Sequence, residues 1–60
     1  MQTYDDIAEL ARICATQARL TTTKDVASAL WMMARNYQER AAQLDSGKLP
    51  EIGDPPDLLK

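Results

Sequence analysis

The sequence predicts an all-α fold: an antiparallel helical hairpin followed by an extended, proline-containing C-terminal tail. Two alanine-rich amphipathic segments, residues 4–19 and 23–45, are separated by a run of threonines. Within each segment alanines recur every seven residues, a spacing that lets two antiparallel helices approach closely. After residue 45 the composition changes to glycine, proline and acidic residues, which favours an extended chain.

The first helix is predicted to begin at Thr3. The Thr3 hydroxyl can accept a hydrogen bond from a first-turn amide, and Asp6, three residues later, can reach back to the Thr3 amide. Asp5 and Asp6 also lie where the helix dipole favours negative charge. Apolar residues then cover nearly half of the helix circumference, more than a single partner helix can bury. They are Tyr4, Ile7, Ala8, Leu10, Ala11, Cys14, Ala15 and Ala18.

The second helix is predicted over residues 23–45. Thr22 and Asp25 repeat the capping spacing, and neither glycine nor proline follows until Gly47, which can end the helix in a left-handed conformation. We expect a stripe of larger apolar residues to be buried, with three alanines along its flank. The stripe consists of Val26, Leu30, Met33, Tyr37 and Leu44, and the alanines are Ala27, Ala34 and Ala41.

Trp31 projects beyond the alanine flank and would be largely exposed in an isolated hairpin. An exposed Trp beside small residues indicates either a subunit interface or a groove into which the tail folds back. A third interpretation is that Trp31 and Met32 form a patch that binds another protein, because methionine adapts to varied partners.

The tail, residues 46–60, cannot continue the helix, and Pro55 followed by Pro56 favours polyproline II. Two alternatives stay open for this segment. It is either a loosely ordered terminus, or a strap whose Leu49 and Ile52 pack across the helices.

A chain of 60 residues buries only about 60% of its unfolded surface on folding, so small scaffolds commonly add a disulfide, a metal or a partner subunit. Cys14 is the only cysteine and the chain has no histidine, which leaves oligomerisation. We therefore expect a homodimer that forms a four-helix bundle with coiled-coil packing. The residues predicted for its interface are Ile7, Leu10, Cys14 and Trp31.

No residue pattern predicts an enzyme, a cofactor or a metal site. Cys14 is the only strong nucleophile, and without a histidine base it is better interpreted as a small core residue. The acidic residues Asp5, Asp6 and Glu9 cluster in the first turns of the first helix, where capping and the dipole explain them.

The formal net charge of −2 argues against a protein that mainly grips nucleic acid or an anionic membrane. No apolar run is long enough to cross a bilayer, and the first residues lack the basic-then-apolar order of a signal peptide. We expect a cytoplasmic protein, in agreement with a single thiol.

Several motifs resemble those of short helical-hairpin proteins from rhizobia and other alphaproteobacteria, a group with no assigned activity. The matching positions are Tyr4-x-x-x-Ala8-Glu9, Arg12 and Ala15-x-Gln17-Ala18 in the first helix, and Leu30-x-x-Met33-Ala34-x-x-Tyr37-x-x-x-Ala41 in the second. The resemblance implies a helical hairpin and gives Cys14 no role. It does not extend into the tail.

These observations predict a non-catalytic protein-interaction or regulatory module that acts as a homodimer, with a further protein partner possible. The alternative is an RNA-binding helical-hairpin dimer. Its phosphate contacts would come from Arg12, Arg19 and Lys24, which form a small basic stripe.

Overall fold

The two alanine-rich segments form helices whose bounds lie within one residue of the predicted ones. The computed structural model describes residues 3–59, so the outermost positions of the predicted hairpin and tail, residues 1, 2 and 60, lie outside the described residues. Helix α1 is Tyr4–Leu20 and helix α2 is Lys24–Leu44. The two helices pack against each other, and residues 3–59 contain no strand, which confirms the all-α hairpin.

The start of α1 is fixed by the predicted capping box. The Asp6 amide donates to Thr3 Oγ1 at 3.3 Å, and the Thr3 amide donates to Asp6 Oδ2, also at 3.3 Å. These two bonds satisfy amide groups that would otherwise have no partner within the helix. At the other end the Thr21 amide donates to the Gln17 carbonyl and the chain becomes extended.

The start of α2 differs from the prediction. Thr23 is the N-cap residue, and its side chain makes no capping hydrogen bond, so the expected cap by Thr22 and Asp25 is wrong. Instead the Thr23 amide donates to Thr21 Oγ1 at 3.3 Å within the loop. Threonine hydroxyls that compete for nearby backbone groups in this way favour turns over helix.

The end of α2 lies at a left-handed turn. Gly47 has a φ of +89° and its amide donates to the Ala42 carbonyl at 2.7 Å, so this glycine ends the helix as predicted. Ser46 also has a left-handed backbone, with a φ of +51°. The Ala42 carbonyl accepts a second bond, from the Asp45 amide, and the free carbonyls of the last turn are thereby partly satisfied.

The helices meet through alanine. Small side chains permit close approach of two helices, and Ile7 is the one large apolar side chain of either described helix that is buried with them. The buried alanines are Ala8, Ala11, Ala15 and Ala18 of α1 and Ala27, Ala34, Ala41 and Ala42 of α2. The expected burial of the larger stripe of α2 is wrong for three of its residues in the single chain, because Val26 is 46% exposed, Met33 45% and Leu44 55%. Leu30 and Tyr37 are partly buried, and Tyr37 packs against the core cluster.

The tail returns along the hairpin. Ile52 is buried in the same cluster as Ala11, Ala15 and Ala34, and the prolines Pro50 and Pro56 are buried too. Leu49, the other predicted packing residue, is exposed. The predicted absence of helix from the tail is wrong for three residues, Asp57–Leu59, which form a 3₁₀ turn that contacts α2.

Candidate functional site: two interaction surfaces

The hairpin has two broad sides, which the helical period of about 100° per residue separates. On α1, Arg19 lies on one side of the buried alanines, and Leu10 and Cys14 lie on the other. On α2, Trp31 and Gln38 lie on one side. The larger apolar stripe lies on the other. Because the tail contacts both Arg19 and Gln38, these two residues share one side of the hairpin, here named the tail face. The opposite side is named the open face.

The tail face binds the tail mainly through its backbone. Arg19 Nη1 donates to the Ile52 carbonyl at 2.8 Å and to the Asp54 carbonyl at 3.1 Å. Gln38 Nε2 donates to the Pro50 carbonyl at 2.9 Å. The accepting carbonyls belong to Pro50, Ile52 and Asp54, and the left-handed Gly53 lies between the last two. A charged donor makes stronger hydrogen bonds than a neutral one, so Arg19 is the principal polar anchor of the tail.

Gly53 lets the tail turn closely around the Arg19 guanidinium. A Cβ atom added at Gly53 would lie 3.1 Å from Arg19 Nη1, closer than an ordinary van der Waals contact. The φ of Gly53 is +83°, in the region that disfavours side chains. The backbone conformation therefore favours glycine strongly between the two carbonyls that Arg19 binds, and any side chain there would also shift the Arg19 guanidinium.

Ile52 is the apolar anchor of the tail. Its side chain joins the cluster of Ala11, Ala15 and Ala34, against which Trp31 also packs. Pro50, Ile52 and Pro56 are the buried residues of the described tail, whereas Asp54 is exposed, so the period of two of an extended chain ends at the left-handed Gly53. The groove on the tail face therefore recognises three apolar side chains and three carbonyls.

The open face carries large apolar side chains that no part of residues 3–59 covers completely. All of them are intermediate or exposed in accessibility. They are Leu10 and Cys14 from α1, and Val26, Leu30, Met33, Tyr37 and Leu44 from α2. A small concavity between Met33, Asn36, Tyr37 and Arg40 lies along its edge, where the Arg40 guanidinium is 5.9 Å from the centre of the Tyr37 ring.

The structure divides the four residues predicted for a dimer interface. Leu10 and Cys14 lie on the open face, where a second copy could reach them. Ile7 is only 1% exposed and is already covered within one chain. Trp31 lies on the tail face, against the cluster that contains Ile52. The stripe of α2 opposite Trp31 therefore completes the surface that Leu10 and Cys14 begin.

The two residues of the predicted patch, Trp31 and Met32, have different surroundings. Trp31 is partly buried against the cluster under the tail, as expected for a groove into which the tail folds back. Met32 is 64% exposed and does not belong to that cluster. Successive residues of a helix differ by about 100° in direction, which explains the separation.

The cations predicted to bind RNA have different surroundings. Arg19 holds the tail, and Arg12 forms an exposed ion pair with Glu9, with Nε 3.7 Å from Oε2. Lys24 lies exposed at the start of α2. The middle residue of the predicted basic stripe, Arg19, is therefore engaged by the tail.

Cys14 is a free, partly buried thiol that packs against the alanine cluster. Across residues 3–59, no three cysteine, histidine or carboxylate side chains lie close enough to hold a metal ion. Within the same residues, neither helix has the length and hydropathy needed to cross a membrane.

A groove beside Trp31 and packing of Ile52 across the helices were among the alternatives that the sequence left open, and the structure has both. The contacts of Arg19 and Gln38 with the tail could not be predicted, because their acceptors are backbone carbonyls, which leave no trace in the sequence. No family model, curated protein or solved structure matches this chain.

Proposed function

We propose that this chain is a non-catalytic protein-interaction module that acts as a homodimer, with the open faces of two hairpins packed together as a four-helix bundle. The observation that carries the proposal is the row of partly exposed large apolar residues along the open face; the other exposed large apolar residues of the described chain, Ile13, Leu20, Met32, Leu49 and Leu58, lie outside that face. Val26, Met33 and Leu44 are each about half exposed, while the tail covers the other side.

The size of the open face suits a dimer. The molecule measures 33 × 20 × 14 Å, so its broad side is of the same order as the about 800 Å² that each partner contributes to a standard interface. Exclusion of apolar surface from water stabilises an interface by about 25 cal/mol per Å² before the opposing entropy of association is counted. A second open face offers the same apolar stripe in a two-fold arrangement.

The composition of the open face supports the same proposal. Methionine and tyrosine are enriched at the centres of protein interfaces, and charged residues are depleted there. Met33 and Tyr37 lie along the middle of the stripe, and the charged Arg40 lies at its edge. A cytoplasmic setting belongs to the proposal, because a reducing compartment would keep the Cys14 thiol free.

Two neighbouring methionines provide the test. Met33→Glu places a charge in the open face, whereas Met32→Glu places the same charge on the exposed outer side of α2. Sedimentation equilibrium of the unmodified chain at micromolar concentration should give a dimer. Met33→Glu should give a folded monomer, because an unpaired charge buried at an apolar interface is strongly unfavourable, and Met32→Glu should remain dimeric.

Circular dichroism of each variant separates dissociation from unfolding. A well-folded monomer of the unmodified chain at micromolar concentration would contradict the proposal. Equal dissociation by both substitutions would also count against it, since the open face would then have no special role.

A further inference from the structure

The open face has one charged residue along each of its two edges. Asp6 lies one turn before Leu10 on α1, and Arg40 lies two turns after Met33 on α2, so each charge shares a side of its helix with an open-face residue. Both charged residues are exposed. The other charged residues of the two described helices lie on the tail face or on the outer side of the helix that carries them. The open face therefore has an acidic edge on α1 and a basic edge on α2.

The two charges lie at nearly the same level along the hairpin. Ala11 and Ala34 belong to one buried cluster, which sets the register of the two antiparallel helices. Asp6 precedes Ala11 by five residues and Arg40 follows Ala34 by six, which at 1.5 Å per residue is about 7.5 and 9 Å from that level. Because the helices run in opposite directions, both displacements point to the end of the hairpin that lies away from the loop of residues 21–23.

Two hairpins that bury one face each in a four-helix bundle can be related by a two-fold axis along the helices or across them. With the axis along the helices, both loops lie at the same end, and α1 of each chain faces α2 of the other. With the axis across the helices, the loops lie at opposite ends, and each helix faces its own copy. The two arrangements therefore bring different edges of the open faces together.

Only the arrangement with both loops at one end pairs opposite charges. The acidic edge then meets the basic edge of the other chain at the same level, and symmetry makes this contact twice. In the other arrangement α2 faces α2, and Arg40 would lie near Val26 and Leu30 of the apolar stripe, where a charge without a partner is unfavourable.

Both side chains can make the pair without losing their contacts within one chain. Asp6 accepts one bond from the Thr3 amide through Oδ2, and a carboxylate has further acceptor sites. The Arg40 guanidinium lies over the Tyr37 ring, 5.9 Å from its centre, and its five N–H donors lie in its plane.

We infer that the open face binds a second copy of this chain with both loops at the same end of the bundle, and that two ion pairs, each between Asp6 and Arg40 of the partner subunit, join the other end. The inference rests on the proposed dimer and adds its orientation. Arg19, close to the loop, binds the Asp54 carbonyl, so the last residues of both tails also lie at the loop end. The dimer therefore has two chemically different ends.

The orientation is tested by the distance between the two loops. Thr22 is exposed in the loop, and a Thr22→Cys chain in which Cys14→Ala removes the native thiol carries one spin label per subunit. Sedimentation equilibrium first establishes that the labelled chain is a dimer. Double electron–electron resonance should then give a label-to-label distance of roughly 10–25 Å, since neighbouring helices lie 8–10 Å apart.

The outcomes of this experiment are distinct. A dimer whose labels are separated by about the 33 Å length of the molecule would overturn the orientation and leave the proposed dimer intact. A monomer would overturn the proposed dimer and the orientation together.

The charge pairs are tested by reversal. Arg40→Glu should raise the Kd of the dimer about tenfold at low salt, because two attractive pairs become repulsive, and high salt should reduce the difference. Arg12→Glu makes the same change of charge outside the open face and should change the Kd by less than about twofold.

A mixture of two variants provides the rescue. Arg40→Glu and Asp6→Lys chains each repel their own copies, but together they present opposite charges at both contacts, so native mass spectrometry should show mainly the mixed dimer. Circular dichroism verifies that each variant keeps its helices. A statistical mixture of dimers, or equal effects of Arg40→Glu and Arg12→Glu, would overturn the pairing of Asp6 with Arg40.

Discussion

Arg19 is the residue on which the position of the tail depends most. One nitrogen, Nη1, donates to the carbonyls of Ile52 and Asp54, on either side of Gly53. We predict that Arg19→Ala lowers the free energy of unfolding by about 1–2 kcal/mol, in the lower part of the range for hydrogen bonds to charged groups because the guanidinium is exposed. Urea denaturation followed by circular dichroism measures the change.

Arg12→Ala is the matched control for Arg19→Ala. Arg12 lies one heptad earlier on α1, and its exposed ion pair with Glu9 should contribute little, so the control should change stability by less than about 0.5 kcal/mol. Similar losses in the two variants would show that the tail contacts of Arg19 do not stabilise the molecule.

Ser46 is the position where a substitution should stabilise the chain. Its φ of +51° is left-handed, a conformation that is unfavourable by roughly 1 kcal/mol for a residue with a Cβ atom and that glycine adopts freely. We predict that Ser46→Gly raises the free energy of unfolding by about 0.5–1 kcal/mol, which the thermal midpoint would report.

The neighbouring Gly47 provides the opposite change. Gly47→Ala should lower stability, because the φ of +89° at this position is unfavourable for alanine. No atom lies within 4 Å of an added Cβ, so the change would report the backbone conformation alone. A gain in stability from Gly47→Ala, or a loss from Ser46→Gly, would contradict the left-handed turn at the end of α2.

At the scale of the helices, the alanine contact is the feature most sensitive to volume. Ala34 is fully buried between the helices, and a larger side chain there must push the helices apart. We predict that Ala34→Leu lowers the free energy of unfolding by about 1–3 kcal/mol, which for a chain of this size lowers the thermal midpoint by several degrees.

Ala29→Leu serves as the control for Ala34→Leu because Ala29 is exposed on α2. Leucine is nearly as good a helix former as alanine, so the control should leave the thermal midpoint almost unchanged. An unchanged thermal midpoint for Ala34→Leu would contradict the close approach of the two helices at Ala34.

The sequence was sufficient to place the helices, because their ends are determined by local chemistry. Thr3 with Asp6 at the start of α1 and Gly47 after α2 have the predicted conformations. It was not sufficient to orient α2. Two adjacent stripes, one of alanine and one of larger residues, both satisfy the helical period, and periodicity cannot tell which one faces α1. Close approach of the backbones favours alanine in the contact.

At the scale of the whole molecule, the tail buries part of the apolar helix surface that the sequence analysis assigned to a partner subunit. The prediction of surplus apolar surface came from counting residues on helix faces, which does not distinguish a partner from the chain itself. Ile52 covers one side of the hairpin, and Leu10 with the larger stripe of α2 remains on the other. A dimer is therefore proposed through that second side alone.

Only some residues of the candidate site could be assigned to one face from the sequence. Leu10 and Cys14 could be assigned to one face of α1 because both lie on one helix with a known period. Trp31 could not be assigned relative to them, because its position depends on how α2 is rotated against α1 and on where the tail returns. Contacts between distant segments decide both, and no local pattern encodes them.

The molecule is 14 Å across in its smallest dimension, so the tail face and the open face lie on opposite sides of a single layer of packed side chains. Ala11, Ala15 and Ala34 contact Ile52 from one direction, and Cys14 and Tyr37 pack against the same cluster from the other. Alanine methyl groups therefore form the layer between Ile52 and the residues of the open face. A bulkier side chain in place of Ile52 would press on that layer, so a substitution in the tail would alter packing on the reverse of the molecule.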